Sequence, residues 1–156
     1  MQPTFKLFLV LLLGGWLGAS VFFSFIAAPV IFQLSKSQVI SKEQAGDLAS
    51  AMLKRYFVCA LVVFVAALVL SGLLAFGTAQ PRFVRCAVIV SIALLLIAFD
   101  GFVWGPKVHT LREERRANPS AEMDRKFGRA HALSFGLNGL VIIANAVAFF
   151  AVARPE

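Results

Sequence analysis

The chain has 156 residues, of which 60% are hydrophobic and 15% are charged. Average soluble domains carry about 25% charged residues, and a soluble domain of this size could not cover so much apolar surface, whereas lipid can. The formal net charge is +7, but the basic residues lie between the apolar runs and form no face with interleaved stacking aromatics. The composition therefore predicts an integral membrane protein and argues against nucleic-acid binding.

Four apolar runs set the predicted fold. They cover about residues 7–32, 56–76, 83–104 and 130–152. Each is long enough for the roughly 20 residues that a helix needs to cross a bilayer. We therefore predict one all-α domain over residues 1–156, an integral membrane four-helix bundle surrounded by the lipid bilayer.

The first run could also be a cleaved signal peptide, since Lys6 precedes its leucine-rich core. However, it is longer than the roughly 7–15 residues typical of such a core. Its best cleavage site, Ala27-Ala28, is followed directly by Pro29, which disfavours processing. We therefore expect this run to be the first membrane span.

Capping signals define the helices between the apolar runs. Ser41 and Gln44 form a capping-box pattern, which predicts an amphipathic helix running directly into the second span. Pro106 should interrupt the third span and can itself open a further helix. Ser120 follows a turn signal and could cap the helix that leads into the fourth span.

The basic residues are distributed unevenly along the chain. Segments 33–55 and 105–129 carry eleven lysines and arginines, and the opposite side of the membrane carries four. The positive-inside rule therefore places both segments in the cytoplasm as loops and both chain termini outside. We expect a multi-pass protein of a bacterial inner membrane.

Polar residues on the fourth run lie on one helical face. They are His131, Ser134, Asn138 and Asn145. Such a stripe should face the interior of the bundle, because lipid cannot satisfy its hydrogen-bonding groups. Two interpretations remain open: interhelical hydrogen bonds that fix the packing, or a polar pathway or ligand pocket that opens toward the cytoplasm.

Asp100 lies one turn inside Trp104, on the same membrane side as His131. A carboxylate within a membrane costs about 3 kcal/mol at mid-depth unless it is paired or hydrated. It could reach head-group water, or pair with His131 or Arg55 as the ionisable centre of a pocket. The candidate pocket residues are Asp100, His131, Ser134 and Asn138. The interface or secondary candidates are Arg55, Tyr56 and Asn145.

Patterns for catalysis and metal binding are absent from the sequence. His109 and His131 lack metal-ligand spacing, and neither C-x-x-C-H nor G-x-S-x-G occurs. Cys59 and Cys86 begin antiparallel runs on opposite membrane faces, too far apart for a disulfide. We expect no metal, no cofactor, no catalytic residue and no intrachain disulfide.

Small residues at four-residue spacing predict close helix packing. Gly14 and Gly18 form a G-x-x-x-G pattern on the first span. This pattern lets helix backbones approach and is associated with dimers. We expect packing within one bundle and keep a homo-oligomer through Gly14 and Gly18 as the alternative.

Several short motifs extend from the first run to the fourth. They are Gly14-Gly15, Ala28-Pro29-Val30-Ile31-Phe32, Lys54-Arg55-Tyr56, Trp104-Gly105-Pro106, and Arg129-Ala130-His131-Ala132-Leu133-Ser134 followed by Asn138. Together they resemble the transmembrane-protein-205-like family, over most of the chain. The resemblance implies a four-helix membrane bundle and no particular reaction. It directs attention to the face of His131, Ser134 and Asn138, and less directly to Asp100.

Two classes of function follow from these patterns. The first is a non-enzymatic membrane protein that binds or conducts a small solute or ion through a polar intramembrane pocket. The alternative is a membrane redox enzyme that uses haem or quinone.

Overall fold

The computed structural model describes residues 2–154, which are almost entirely helical. The six α-helices are α1 (Gln2–Phe22), α2 (Ala28–Lys36), α3 (Lys42–Thr78), α4 (Pro81–Phe99), α5 (Gly105–Ala117) and α6 (Ala121–Ala153). Two π-helical segments, Phe23–Ala27 and Asp100–Trp104, join α1 to α2 and α4 to α5. No strand occurs within residues 2–154. The predicted all-α class is confirmed.

Four continuous helical stretches are long and apolar enough to cross a bilayer. They are Gln2–Lys36, Lys42–Thr78, Pro81–Ala117 and Ala121–Ala153. Only 22–28% of the most apolar part of each is buried inside the bundle, so large apolar side chains such as Phe76 point outward. Water would not tolerate such a surface, whereas acyl chains cover it. The chain is a multi-pass membrane protein with four spans.

The third span continues through the position where the sequence predicts an interruption. The helix that Pro106 was expected to open forms as α5, with Pro106 in its first turn. The chain does not break there, because a π turn accommodates the proline. Pro106 has no N–H to donate to the carbonyl four residues earlier. One residue before it, the Gly105 N–H instead donates to the Asp100 carbonyl oxygen, five residues back. The first span adopts the same arrangement just before Pro29.

The four spans pack as a ring of neighbours. α1 and α4 each pack against both α3 and α6. Large apolar side chains fill the interior at the end that carries the α3–α4 turn. They include Leu9, Leu13, Phe64, Leu74, Phe83, Val90 and Val152. We call this end the apolar half, and the end that carries α5 and residues 37–41 the basic half.

The helix starts in the basic half follow the predicted caps. The Gln44 N–H donates to Ser41 Oγ, and the Ser41 N–H donates back to Gln44 Oε1, so the capping box is confirmed. Ser120 Oγ accepts from the Met123 N–H and caps α6. The segments expected as loops are mostly helical, since only residues 37–41 and 118–120 lie between helices.

An ion pair outside the apolar runs 56–76 and 83–104 fastens α5 to the start of α3. The buried Arg112 guanidinium donates to Asp47 Oδ1 at 2.6 Å and also reaches Ser50. Arg116 donates to the same carboxylate oxygen at 2.9 Å. The Arg116 guanidinium, with that of Arg112, holds the pKa of the Asp47 carboxyl below its ordinary value. In the basic half, these ion pairs therefore hold α5 and the start of α3 together outside the apolar runs.

The glycines of the first span differ in their surroundings. A Cβ on Gly14 would lie 2.9 Å from Phe149 Cε2, so Gly14 lets α1 approach α6 within one chain. Gly18 faces open space, and a second copy packed there stays a prediction. Cys59 and Cys86 are both free thiols.

Candidate functional site

Asp100 opens the second π segment, within the basic half. Its Oδ1 accepts a hydrogen bond from Ser134 Oγ at 2.9 Å, and the side chain is half-buried. No basic side chain within residues 2–154 forms an ion pair with it. The second carboxylate oxygen is therefore an acceptor still open to a partner.

Tyr56 of α3 reaches across the bundle toward α1 and α6. Its hydroxyl lies 2.9 Å from Ser20 Oγ and 3.3 Å from Asn138 Oδ1. Ser20 donates its own proton to the Trp16 carbonyl oxygen, so it must accept the tyrosine proton. The Tyr56 hydroxyl also donates toward Asn138 Oδ1 over the longer distance. A carbonyl oxygen has two lone pairs, so Asn138 Oδ1 keeps one acceptor site open.

Asn138 connects α6 to the first π segment. Its Nδ2 donates to Ser24 Oγ at 3.2 Å. Asn138 lies one helical turn after Ser134 on α6, so the open acceptors of Asn138 and Asp100 are both next to this helix. We call these residues the polar cluster: Ser20, Ser24, Tyr56, Asp100, Ser134 and Asn138.

Two aromatic rings fix the position of the Tyr56 hydroxyl. The Tyr56 ring centroid lies 4.9 Å from that of Trp16, at an interplanar angle of 30°. It also lies 4.9 Å from that of Phe23, at 17°. With a ring packed on either side, the phenol has little freedom to swing away. The cluster is therefore held in place by packing as well as by hydrogen bonds.

The π segments supply two of the polar side chains. Ser24 lies in the first and Asp100 begins the second. Directly after Asp100, Gly101 lies against Phe57, and a Cβ on Gly101 would collide with the Phe57 ring. Trp104 closes the segment by donating its indole N–H to the Ala130 carbonyl oxygen at 3.0 Å. Such π turns are frequent at functional sites, where they redirect side chains.

His131 and Arg55 lie outside the polar cluster. His131 is exposed, and its ring stacks on Phe127 with centroids 5.8 Å apart. Arg55 is exposed as well, and neither residue forms an ion pair with Asp100 within the described chain. The structure thus brings Asp100, Ser134, Asn138 and Tyr56 into one half of the bundle and leaves His131 and Arg55 on its surface.

Asn145 lies deeper, among the apolar side chains. It is buried, and its Nδ2 donates to the Leu13 carbonyl oxygen at 3.1 Å, joining α6 to α1. This contact is of the packing type, in which a polar side chain bonds a neighbouring helix. Asn145 therefore contributes to helix association and is separate from the polar cluster.

The serines of the first span were not among the residues predicted from the sequence. Ser20 and Ser24 are spaced four apart in an otherwise apolar run, so they lie on one helical face. That spacing was a usable signal, but serine bonds its own helix so often that it rarely marks a site. Tyr56 was assigned to the interface, whereas its hydroxyl points inward to Ser20.

Comparison with known proteins gives a family and no activity. No curated protein and no solved structure gives a significant match. One family does match, over residues 11–117, which is more than half of the chain. That range contains Ser20, Ser24, Tyr56 and Asp100, while Ser134 and Asn138 lie beyond it. The chain therefore belongs to the family described as "Domain of unknown function (DUF4149)".

Proposed function

We propose that this membrane protein binds a small cation, or a small solute with a cationic group, at the polar cluster. The observation that carries the proposal is the Asp100 carboxylate, which is held by Ser134 and lacks a basic partner within residues 2–154. A carboxylate in a membrane span is costly unless something compensates it, so residues of this kind mark ligand and ion sites.

The second open acceptor supports a ligand that donates hydrogen bonds. Asn138 Oδ1 uses one of its two lone pairs on the Tyr56 hydroxyl, and the amide nitrogen of Asn138 donates to Ser24 Oγ. The Asn138 carbonyl oxygen and the free carboxylate oxygen of Asp100 therefore both lie beside α6. Ammonium groups and metal cations are attracted to such oxygens, whereas an anion would be repelled.

Binding is better supported than conduction. The polar cluster occupies only the basic half, and the interior beyond it is filled by side chains such as Leu9, Leu13 and Phe64, each 0% exposed. Among the described residues an ion would find only isolated buried polar side chains there, Ser71 and Asn145, which are too few to replace its water. The redox alternative has little support, since His109 and His131 are both exposed and lie on different helices.

The resemblance to the transmembrane-protein-205-like family fits this proposal, and we infer that the chain is of that type within its family. Two of the motifs that carry the resemblance lie at the π segments: Ala28-Pro29 follows the first segment, and Trp104-Gly105-Pro106 spans the end of the second. The motif ending in Ser134 provides the partner of Asp100. We further propose that the basic half faces the cytoplasm of a bacterium, with both termini outside, so that the cluster opens inward.

The test is the thermal unfolding midpoint of the purified full-length protein with Na⁺, K⁺, ammonium, methylammonium or choline added. A ligand that binds the folded state stabilises it by about 2.7 kcal/mol at a hundredfold excess over its dissociation constant. At least one of these cations should raise the midpoint of the wild-type protein. Asp100→Asn should remove that shift, because the amide keeps the shape and loses the charge.

Asp124→Asn is the matched control, since it removes an exposed carboxylate from α6 outside the cluster. It should keep the full cation response. The proposal fails if no cation in the series raises the midpoint, or if the response survives in Asp100→Asn.

A further inference from the structure

A surface cavity of about 740 Å³ lies in the turn between α2 and α3, away from the polar cluster. Its apolar wall includes Phe32, Val39 and Ile40, and its polar wall includes Lys36, Lys42 and Gln38. Among the described residues, no acidic side chain lines it. The cavity therefore combines an apolar wall with two positive charges.

The turn that shapes this cavity is held by its own backbone. Gln38 adopts the left-handed conformation, with φ 61°. The Val39 N–H donates to the Leu34 carbonyl oxygen, and the Gln38 N–H donates to that of Ser35. This is a Schellman motif, in which the chain reverses just after a helix. The reversal brings Lys36 and Lys42, six residues apart, to one cavity.

Both lysines are free to bind an external anion. Lys36 and Lys42 are exposed, and neither forms an ion pair within residues 2–154. Arg112 and Arg116 of the same half, by contrast, are engaged with Asp47. The charge of this cavity is therefore uncompensated by the protein itself.

The position of the cavity along the chain places it at the membrane surface. Phe32 ends the first apolar run. Val39 lies outside the bundle, and its apolar side chain is 68% exposed. An exposed valine beside lysines at the edge of a span suits the boundary where acyl chains meet phosphate groups.

We propose that this cavity binds one anionic phospholipid of the surrounding bilayer. The lipid phosphate lies between Lys36 and Lys42, and the upper part of an acyl chain lies against Phe32 and Val39. This site is independent of the polar cluster, and either could exist without the other.

Native mass spectrometry of the full-length protein, titrated with phosphatidylglycerol or phosphatidylcholine, tests the proposal. One basic residue near the surface contributes about fivefold to the affinity for an anionic lipid, so two contribute about 25-fold. The double substitution Lys36→Gln and Lys42→Gln should weaken phosphatidylglycerol binding by about that factor. Lys42→Gln alone should weaken it about fivefold, and phosphatidylcholine binding should change little.

The matched control is the double substitution Lys54→Gln and Arg55→Gln. It removes the same charge from the same half of the molecule, but neither residue lines the cavity. It should leave phosphatidylglycerol binding within about twofold of wild type. Equal weakening by both double variants would show diffuse attraction and overturn the proposal. So would an absence of preference for phosphatidylglycerol, or displacement of the lipid by equimolar inorganic phosphate.

Discussion

The two halves of this bundle are built from the same four helices and use their interiors differently. In the apolar half, residues such as Phe64 and Leu74 form the packing, and the buried polar residues among those described are Ser71 and Asn145. In the basic half, the first and third spans contain π turns, and the polar side chains of Asp100, Tyr56 and Asn138 lie between the helices. Membrane helices associate mainly through close packing, so the first arrangement favours stability. The second is costly for a purely structural role, and for that reason we propose a binding role for it.

The largest effect on stability should come from the apolar half. Phe64→Ala should lower the free energy of unfolding by about 2 kcal/mol, because a cavity remains where a fully buried ring was. The loss is smaller than in a soluble protein, because the separated helices are surrounded by lipid and not by water. Unfolding in mixed detergent micelles would measure this loss. Phe76→Ala is the control, because Phe76 is 95% exposed and its loss leaves no cavity. Equal losses for the two variants would contradict the assignment of the core.

The next effect should appear at the close contact that shapes the second π segment. Gly101→Ala should destabilise the protein by about 1–3 kcal/mol, because the new Cβ requires Phe57 or the backbone to move. Gly136→Ala, on α6 with no heavy atom near its Cβ position, should be neutral or slightly stabilising. The same unfolding measurement compares them, and a neutral Gly101→Ala would mean that the segment is more adaptable than its geometry indicates.

A smaller and pH-dependent effect should come from the ion pair that holds α5. Because the pKa of Asp47 is lowered in the folded state, its contribution to stability is present above its unfolded pKa of about 3.9. That contribution disappears as the pH falls through the lower folded-state pKa. Asp47→Asn should therefore lower the melting midpoint at pH 6, and its difference from wild type should shrink as the pH falls below about 3.9. Glu114→Gln, which forms no ion pair within residues 2–154, should show no such difference.

The apolar half could be predicted from the sequence more completely than the basic half. Hydrophobic runs and capping patterns indicate where helices begin and end, and Ser41 and Ser120 mark two starts correctly. Helical periodicity also placed Ser134 and Asn138 on one face. It could not place His131, which lies at the edge of that face and stacks outward on Phe127. A π turn shifts the helical register of every residue after it. Whether a proline produces a π turn or a kink depends on the packing of the neighbouring helices, so helical periodicity alone does not predict it.

The binding role proposed for the basic half can be tested without knowing any ligand. The measurement is the thermal unfolding midpoint of Asp100→Leu in the absence of added solutes, compared with wild type and Phe64→Ala. If the function of the carboxylate is ligand binding, the midpoint of Asp100→Leu equals or exceeds that of wild type. The substitution removes an uncompensated charge from the membrane interior, and Ser134 can hydrogen-bond to its own helix instead. A fall as large as that of Phe64→Ala would show that Asp100 holds the bundle together and would contradict the proposed binding site.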